Sequence, residues 1–139
     1  PFTFSMDFPI FEFPEITFLP LAVKDLTLGG AEFTFSFQLK NPNPYDLLIK
    51  DLRVKLHLGD RPIYEGSLQG DKALEPGGIR TFKLPLMLDF FEMGRELRDN
   101  LERELVPFVL KAEVGADSAW GWLAFNLEKS DTVKKEKVR

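Results

Sequence analysis

Apolar and polar residues alternate with period two along most of this chain, the mark of strands with one buried and one wet face. Phe33, Phe35, Phe37 and Leu39 fall on one side, and Thr34, Ser36, Gln38 and Lys40 on the other. The same alternation sets Leu52, Val54, Leu56 and Leu58 against Arg53, Lys55 and His57, and Phe82, Leu84, Leu86 and Leu88 against Thr81 and Lys83. Near the end, Leu123, Phe125 and Leu127 alternate with Ala124, Asn126 and Glu128. Turn residues separate these runs. Gly29-Gly30 suits a two-residue hairpin, Gly59-Asp60 precedes Arg61-Pro62, Pro76-Gly77 fits the centre of a type II turn, and Gly115 to Ser118 forms a polar loop. The pattern predicts strands near residues 15–28, 31–40, 46–58, 62–69, 79–88, 107–114 and 120–128. One-sided alternation is characteristic of antiparallel sheets. About seven strands at this spacing predict a mainly β protein, an antiparallel β-sandwich of the immunoglobulin or fibronectin type III kind.

One segment departs from period two. Between Asp89 and Val106, Phe90, Met93, Leu97, Leu101 and Leu105 recur every three or four residues, which predicts one amphipathic helix over about 89–106. Asp89 is placed to cap it, Glu92 completes a capping-box spacing, and Leu88 with Met93 fits a hydrophobic staple. Arg95 with Asp99, and Asp99 with Arg103, are spaced for ion pairs on the exposed face. Pro107 is expected to end the helix, because the residue before a proline avoids helical backbone. The stripe must cover an open edge or end of the sandwich. The chain then divides into a Phe-rich lead, residues 1–14, a sandwich domain, 15–128, and a polar tail, 129–139, with no internal repeat.

Composition narrows the chemistry. A chain of 139 residues fits one domain with a real core. It has no Cys, which excludes disulfides, thiolate metal sites and thiol nucleophiles, and one His, which excludes a multi-histidine metal centre. Its 18 basic and 22 acidic residues leave a net charge of −4, the wrong sign for non-specific nucleic-acid binding. His57 lies beside Arg53 and Lys55 with no carboxylate in its pattern, so it reads as a bystander rather than a base. Glu12 with Glu15, and Asp89 with Glu92, fall in no hydrolase motif, and the glycine doublets are hairpin turns rather than phosphate loops. The expectation is a protein that is not an enzyme and uses no cofactor or metal.

Two features point outward. Trp120 and Trp122 share the face opposite Leu123, Phe125 and Leu127, so they form an aromatic contact surface unless the helix or the lead covers them. The lead carries Phe2, Phe4, Phe8, Phe11 and Phe13, interrupted by Pro9 and Pro14, and Phe2 and Phe4 join the candidate contact surface. No run of 18 apolar residues is present to form a membrane-spanning helix. The chain begins with Pro1 rather than Met, so a preceding segment is expected. With it comes an extracytoplasmic, periplasmic or membrane-tethered setting, the cytoplasm being the alternative. The tail holds five basic residues, Lys129, Lys134, Lys135, Lys137 and Arg139, and reads as a solvated, frayed terminus.

The strand ending at Lys40 runs into Asn41-Pro42-Asn43-Pro44-Tyr45. Each proline lacks an N–H and pushes its predecessor into extended backbone, and each Asn can bond nearby main chain, so this is a rigid corner. An Asn-Pro-Asn-Pro step after an alternating strand resembles the signature of the type 2 late embryogenesis abundant proteins and their water-stress and hypersensitive-response (WHy) domain. The short apolar run Leu47-Leu48-Ile49, the turn at Gly59, Ile63-Tyr64-Glu65-Gly66 and the Pro76-Gly77-Gly78 turn agree, so the resemblance spans roughly residues 15 to 127. The Phe-rich lead is outside the family pattern. The resemblance implies a non-catalytic protein of desiccation and water stress that binds or shields partially unfolded proteins or membrane surfaces. The alternative is a carrier or tethered module for a lipid, another hydrophobic ligand or an envelope protein.

Overall fold

A computed structural model describes residues 11–68 and 70–136. In chain order they form β1 (Glu15–Phe18), β2 (Ala22–Leu26), β3 (Gly30–Lys40), β4 (Leu47–Leu58), β5 (Arg61–Ser67), β6 (Lys72–Leu74), β7 (Ile79–Asp89), α1 (Phe90–Met93), α2 (Arg95–Glu102), β8 (Leu105–Ser118) and β9 (Gly121–Lys134). The strands make two antiparallel sheets. In the first, β7 lies along the whole of β3, from Gly30↔Asp89 to Lys40↔Ile79. A strand has two edges, so β1 and β2 share the other edge of β3 end to end. In the second, β4 is flanked by β8 on one side and by β5 and β6 in tandem on the other, and β9 pairs with β8 throughout. The architecture is the expected β-sandwich.

Phenyl rings fill the space between the layers. Phe33, Phe35 and Phe37, alternate residues of β3, are buried, and Phe108 of β8 meets Phe35 with ring centroids 4.7 Å apart. Phe82 stacks on Phe37 at 5.1 Å and Phe18 meets Phe35 edge-on at 5.0 Å. Alternation on β4 changes phase between Ile49 and Leu52, and a bulge between Ile49 and Asp51 absorbs the extra residue. Leu47, Ile49, Leu52, Val54, Leu56 and Leu58 therefore all face inward despite the change of parity.

Several boundaries differ from the sequence reading. The strand expected over 15–28 is broken at Leu19-Pro20, because proline cannot continue the ladder. Leu21 instead crosses to the other sheet: its N–H donates to the Lys134 carbonyl at 2.8 Å, and its carbonyl accepts from the Glu136 N–H at 2.8 Å. This clasp and the β8 ladder hold residues 129–134 as strand, so the tail expected to begin at 129 is part of β9 up to Lys134. Lys72–Leu74 forms a short strand that the alternation did not reveal.

The helical segment is correctly capped but shorter than expected. Asp89 accepts from the Phe91 N–H at 2.9 Å and the Glu92 N–H at 3.4 Å. Gly94, at φ 102° and ψ 154°, then breaks the helix in two, a conformation open essentially to glycine. α2 stops at Glu102, not at Val106, because Leu105 and Val106 are already paired with Lys134 and Val133 of β9. Pro107 lies inside β8. Arg103 falls in extended backbone, so its expected helical pairing with Asp99 loses its spacing, and Arg98 pairs with Glu102 at 2.7 Å. Leu97 and Leu101 are buried and close one end of the sandwich.

The ring packing predicts a large penalty for truncation. Phe35→Ala is expected to cost about 3–5 kcal/mol in urea unfolding, with little change in the slope against denaturant. A loss under about 1 kcal/mol would show that these rings do not hold the layers together.

Candidate functional site

The Asn-Pro-Asn-Pro corner carries the chain from β3 in one sheet to β4 in the other. Asn41 and Asn43 are both buried. The Asn41 side-chain amide donates to the Tyr45 carbonyl at 2.8 Å and the Leu74 carbonyl at 3.1 Å. Its Oδ1 accepts from the Asn43 backbone N–H and the Asn43 side-chain amide, each at 3.0 Å. Asn43 in turn donates to the Glu12 carbonyl and accepts from the Glu12 N–H, both at 2.8 Å. The Asn41 main chain bonds Gly78 and Gly77 across the β6–β7 turn. Pro42 and Pro44 bring no N–H, so they strand no donor in this crowded bend. The two amides point inward and spend their hydrogen bonds on the protein itself. This corner is a lock joining the lead, the end of β6 and the β6–β7 turn. Burial pushes the nearby Tyr45 hydroxyl above its usual range. Lys72, next to the same turn, is lowered by burial and by the positive charge of Arg80, against the pull of Asp71.

Trp120 and Trp122 are exposed, at 61% and 53%. Trp120 sits in the β8–β9 turn, its N–H donating to Ser118 Oγ at 3.1 Å. Trp122 lies across from Asp117, and its indole rests on Gly115, where an added Cβ would come within 2.5 Å of the ring. The covering expected from the helix does not occur, because α2 leads into the opposite end of β8. The described part of the lead does not cover them either. Phe11 and Phe13 pack on Phe125, at 5.1 Å and 5.6 Å, on the other face of β9. Phe2 and Phe4, the other half of the candidate contact surface, lie outside the described residues.

Beside Trp122, the outer face of the five-stranded sheet arranges polar side chains in rows. Glu65, Lys55, Lys111 and Glu128 form one, and Ser67, Arg53, Glu113 and Asn126 the next. Lys55 and Lys111 stand directly opposite each other, each eased by a glutamate 3.7 Å away. Pairs this exposed add little stability. Two shallow concavities of about 480 and 640 Å³ follow this face, the second bounded by Trp122. His57 lines neither, and its Nδ1 is sequestered with no hydrogen-bond partner among the described residues. Among the described residues, no three His, Asp or Glu side chains gather as metal ligands would, and no helix is long and apolar enough to cross a membrane.

A second exposed group went unnoticed in the periodicity. Phe91 is 86% exposed and Leu28 75% exposed, and both border a concavity at the helical end. The signal was the Phe90-Phe91 doublet: only the first fits the buried stripe, so the second must point outward.

Residues 36–131 match the family described as late embryogenesis abundant protein. Comparison with curated protein sequences gives no significant match. Among solved structures, the chain resembles the solution structure of an Arabidopsis thaliana protein, with a TM-score of 0.62 at 15% identity over 99% of this chain and 92% of that one. It resembles the solution structure of a protein described as late embryogenesis abundant, with a TM-score of 0.51 at 18% identity over 87% of this chain and 70% of that one. A Bordetella pertussis protein described as ApaA reaches 0.56 at 9% identity, over 93% of this chain and 100% of that one. At such identities these likenesses show the fold.

The amide lock makes its own prediction. Asn43→Ala strands the Glu12 N–H and carbonyl and leaves Asn41 Oδ1 with only the backbone N–H of residue 43, and is expected to cost about 1–3 kcal/mol in thermal or urea unfolding. Asn43→Asp is expected to cost more at neutral pH than near pH 4. A buried acid has a raised folded-state pKa, so the penalty grows as pH rises above the unfolded value. A pH-independent loss would refute this account. The corner that carries these amides lies within the matched segment, which covers more than half of the sequence, and the chain belongs to the late embryogenesis abundant family of type 2 (LEA_2).

Proposed function

We propose that this chain is a non-catalytic protective module of water stress, of the WHy kind, that works by contact with exposed surfaces of other proteins or membranes. Family membership supports a stress-related role. The observation that carries the contact mechanism is the pair Trp120 and Trp122, held at a hairpin end with more than half of each side chain in water. Exposed indoles combine an apolar body with a donor edge, which suits low-specificity attachment to partly unfolded clients. The reading requires no cofactor. An extracytoplasmic or membrane-tethered setting belongs to the same proposal.

The carrier alternative draws less support. Phe33, Phe35, Phe37, Phe82 and Phe108 occupy the space between the sheets, where a hydrophobic cargo would have to lie.

A labile enzyme frozen or dried with the purified chain is expected to keep more activity than with an equal mass of an inert globular protein. The double variant Trp120→Ser, Trp122→Ser should lose most of that excess while retaining a similar melting temperature. Equal protection by the inert protein would remove the proposed role. An acyl ligand seen by native mass spectrometry would favour the carrier instead.

A further inference from the structure

Leu28, at the tip of the β2–β3 turn, and Phe91, in the single turn of α1, protrude side by side. The Phe91 ring lies against Gly29, so close that a Cβ there would come within 2.9 Å of it. Together with Phe90, Arg95 and Arg98 they border a concavity of about 360 Å³. Among the described residues, two cations and no carboxylate line it. Arg98 Nε is sequestered from solvent with no acceptor, while its Nη2 is held by Glu102 at 2.7 Å. The neighbouring acids are engaged or outside: Asp89 accepts the α1 N–H groups, Glu102 takes Arg98, and Glu92 and Glu96 do not border the concavity.

We infer that this end of the sandwich is a bilayer-docking tip, with Leu28 and Phe91 entering the interfacial layer and Arg95 and Arg98 receiving the phosphate of an anionic lipid headgroup. The inference goes beyond the proposed contact function: it names a separate surface, one partner and the residues that meet it. Isolated side chains projecting from turns fit a soft interface better than a protein surface, which needs a broad complementary patch. Two guanidinium groups beside the protruding Leu28 and Phe91 are matched by phosphate oxygens. The Trp120 and Trp122 surface lies at the far end of β8 and takes no part.

The test is co-sedimentation of the full chain with vesicles of phosphatidylcholine alone, and of phosphatidylcholine mixed equally with phosphatidylglycerol. The chain is expected to bind the mixed vesicles more tightly, and salt should erase the difference. Leu28→Ser with Phe91→Ser should abolish binding to both. Arg95→Gln with Arg98→Gln should weaken binding to mixed vesicles by about 30-fold, near 1 kcal/mol for each cation at an anionic surface. Arg95→Gln alone, which breaks no ion pair the structure shows, should give part of that loss with an unchanged melting curve. Trp120→Ser with Trp122→Ser should bind as the wild type does. Failure of the wild type to bind either vesicle, or binding unaffected by the Leu28 and Phe91 changes, overturns the tip. Saturable binding of inorganic phosphate without vesicle binding also overturns it, in favour of a free-anion site. None of these outcomes bears on protection of a dried enzyme, so the two proposals stand or fall separately.

Discussion

Two side-chain amides make the crossing between the layers possible. A strand that leaves one sheet to enter another must bend through the interior edge, and every main-chain donor and acceptor in that bend needs a partner. Asn41 and Asn43 meet the requirement with neutral groups that satisfy each other, the corner's own Tyr45 carbonyl, and main chain at Leu74 and Glu12. The intervening prolines remove donors that would otherwise need satisfying. Because the bend is rigid, β3 and β4 hold a fixed relation, and the rings of β3 meet Phe108 of β8 across the gap.

The two sides of the sandwich are closed differently. On one, Leu21 leaves the first sheet and bonds the end of β9, tying the sheets by main chain. On the other, β7 and β5 are edge strands, and the Arg80 side chain of β7 reaches across the gap to the Ala73 carbonyl of β6 at 3.3 Å. Each of these edges carries a proline, Pro85 in β7 and Pro62 in β5. A missing N–H makes a strand a poor template for edge-to-edge pairing. Under the contact function proposed above, blunt edges are an advantage, since contact through indoles or a lipid-facing tip is reversible and strand addition much less so.

Among the described residues, exposed aromatic side chains lie at the two ends. Between them, the outer face of the five-stranded sheet is charged and its rows are locally balanced, so it stays wet. Such a division leaves the core free to be packed tightly with phenylalanine while the proposed contact residues sit in or beside turns, where substitutions disturb little of the ladder.

Local pattern alone determined much of this. Period-two alternation over 33–39, 52–58 and 82–88 reports which side chains avoid water, and burying one face of each strand leaves few alternatives to stacked antiparallel sheets. Asp89 announced a helix start because capping is a contact between near neighbours. Asn41 and Asn43 announced a corner for the same reason. Tertiary structure decided what depends on residues far apart in the chain. The helix ends at Glu102 because β9 claims Leu105 and Val106, and β9 continues to Lys134 because β8 and Leu21 hold it. The bonds from Asn43 to Glu12, and the exposure of Trp122 above Gly115, join positions that no periodicity links. Leu28 and Phe91 came together only when the β2–β3 turn and α1 were set at the same end. Hydrophobic pattern specifies which face is buried; only the folded chain decides which buried or exposed groups become neighbours.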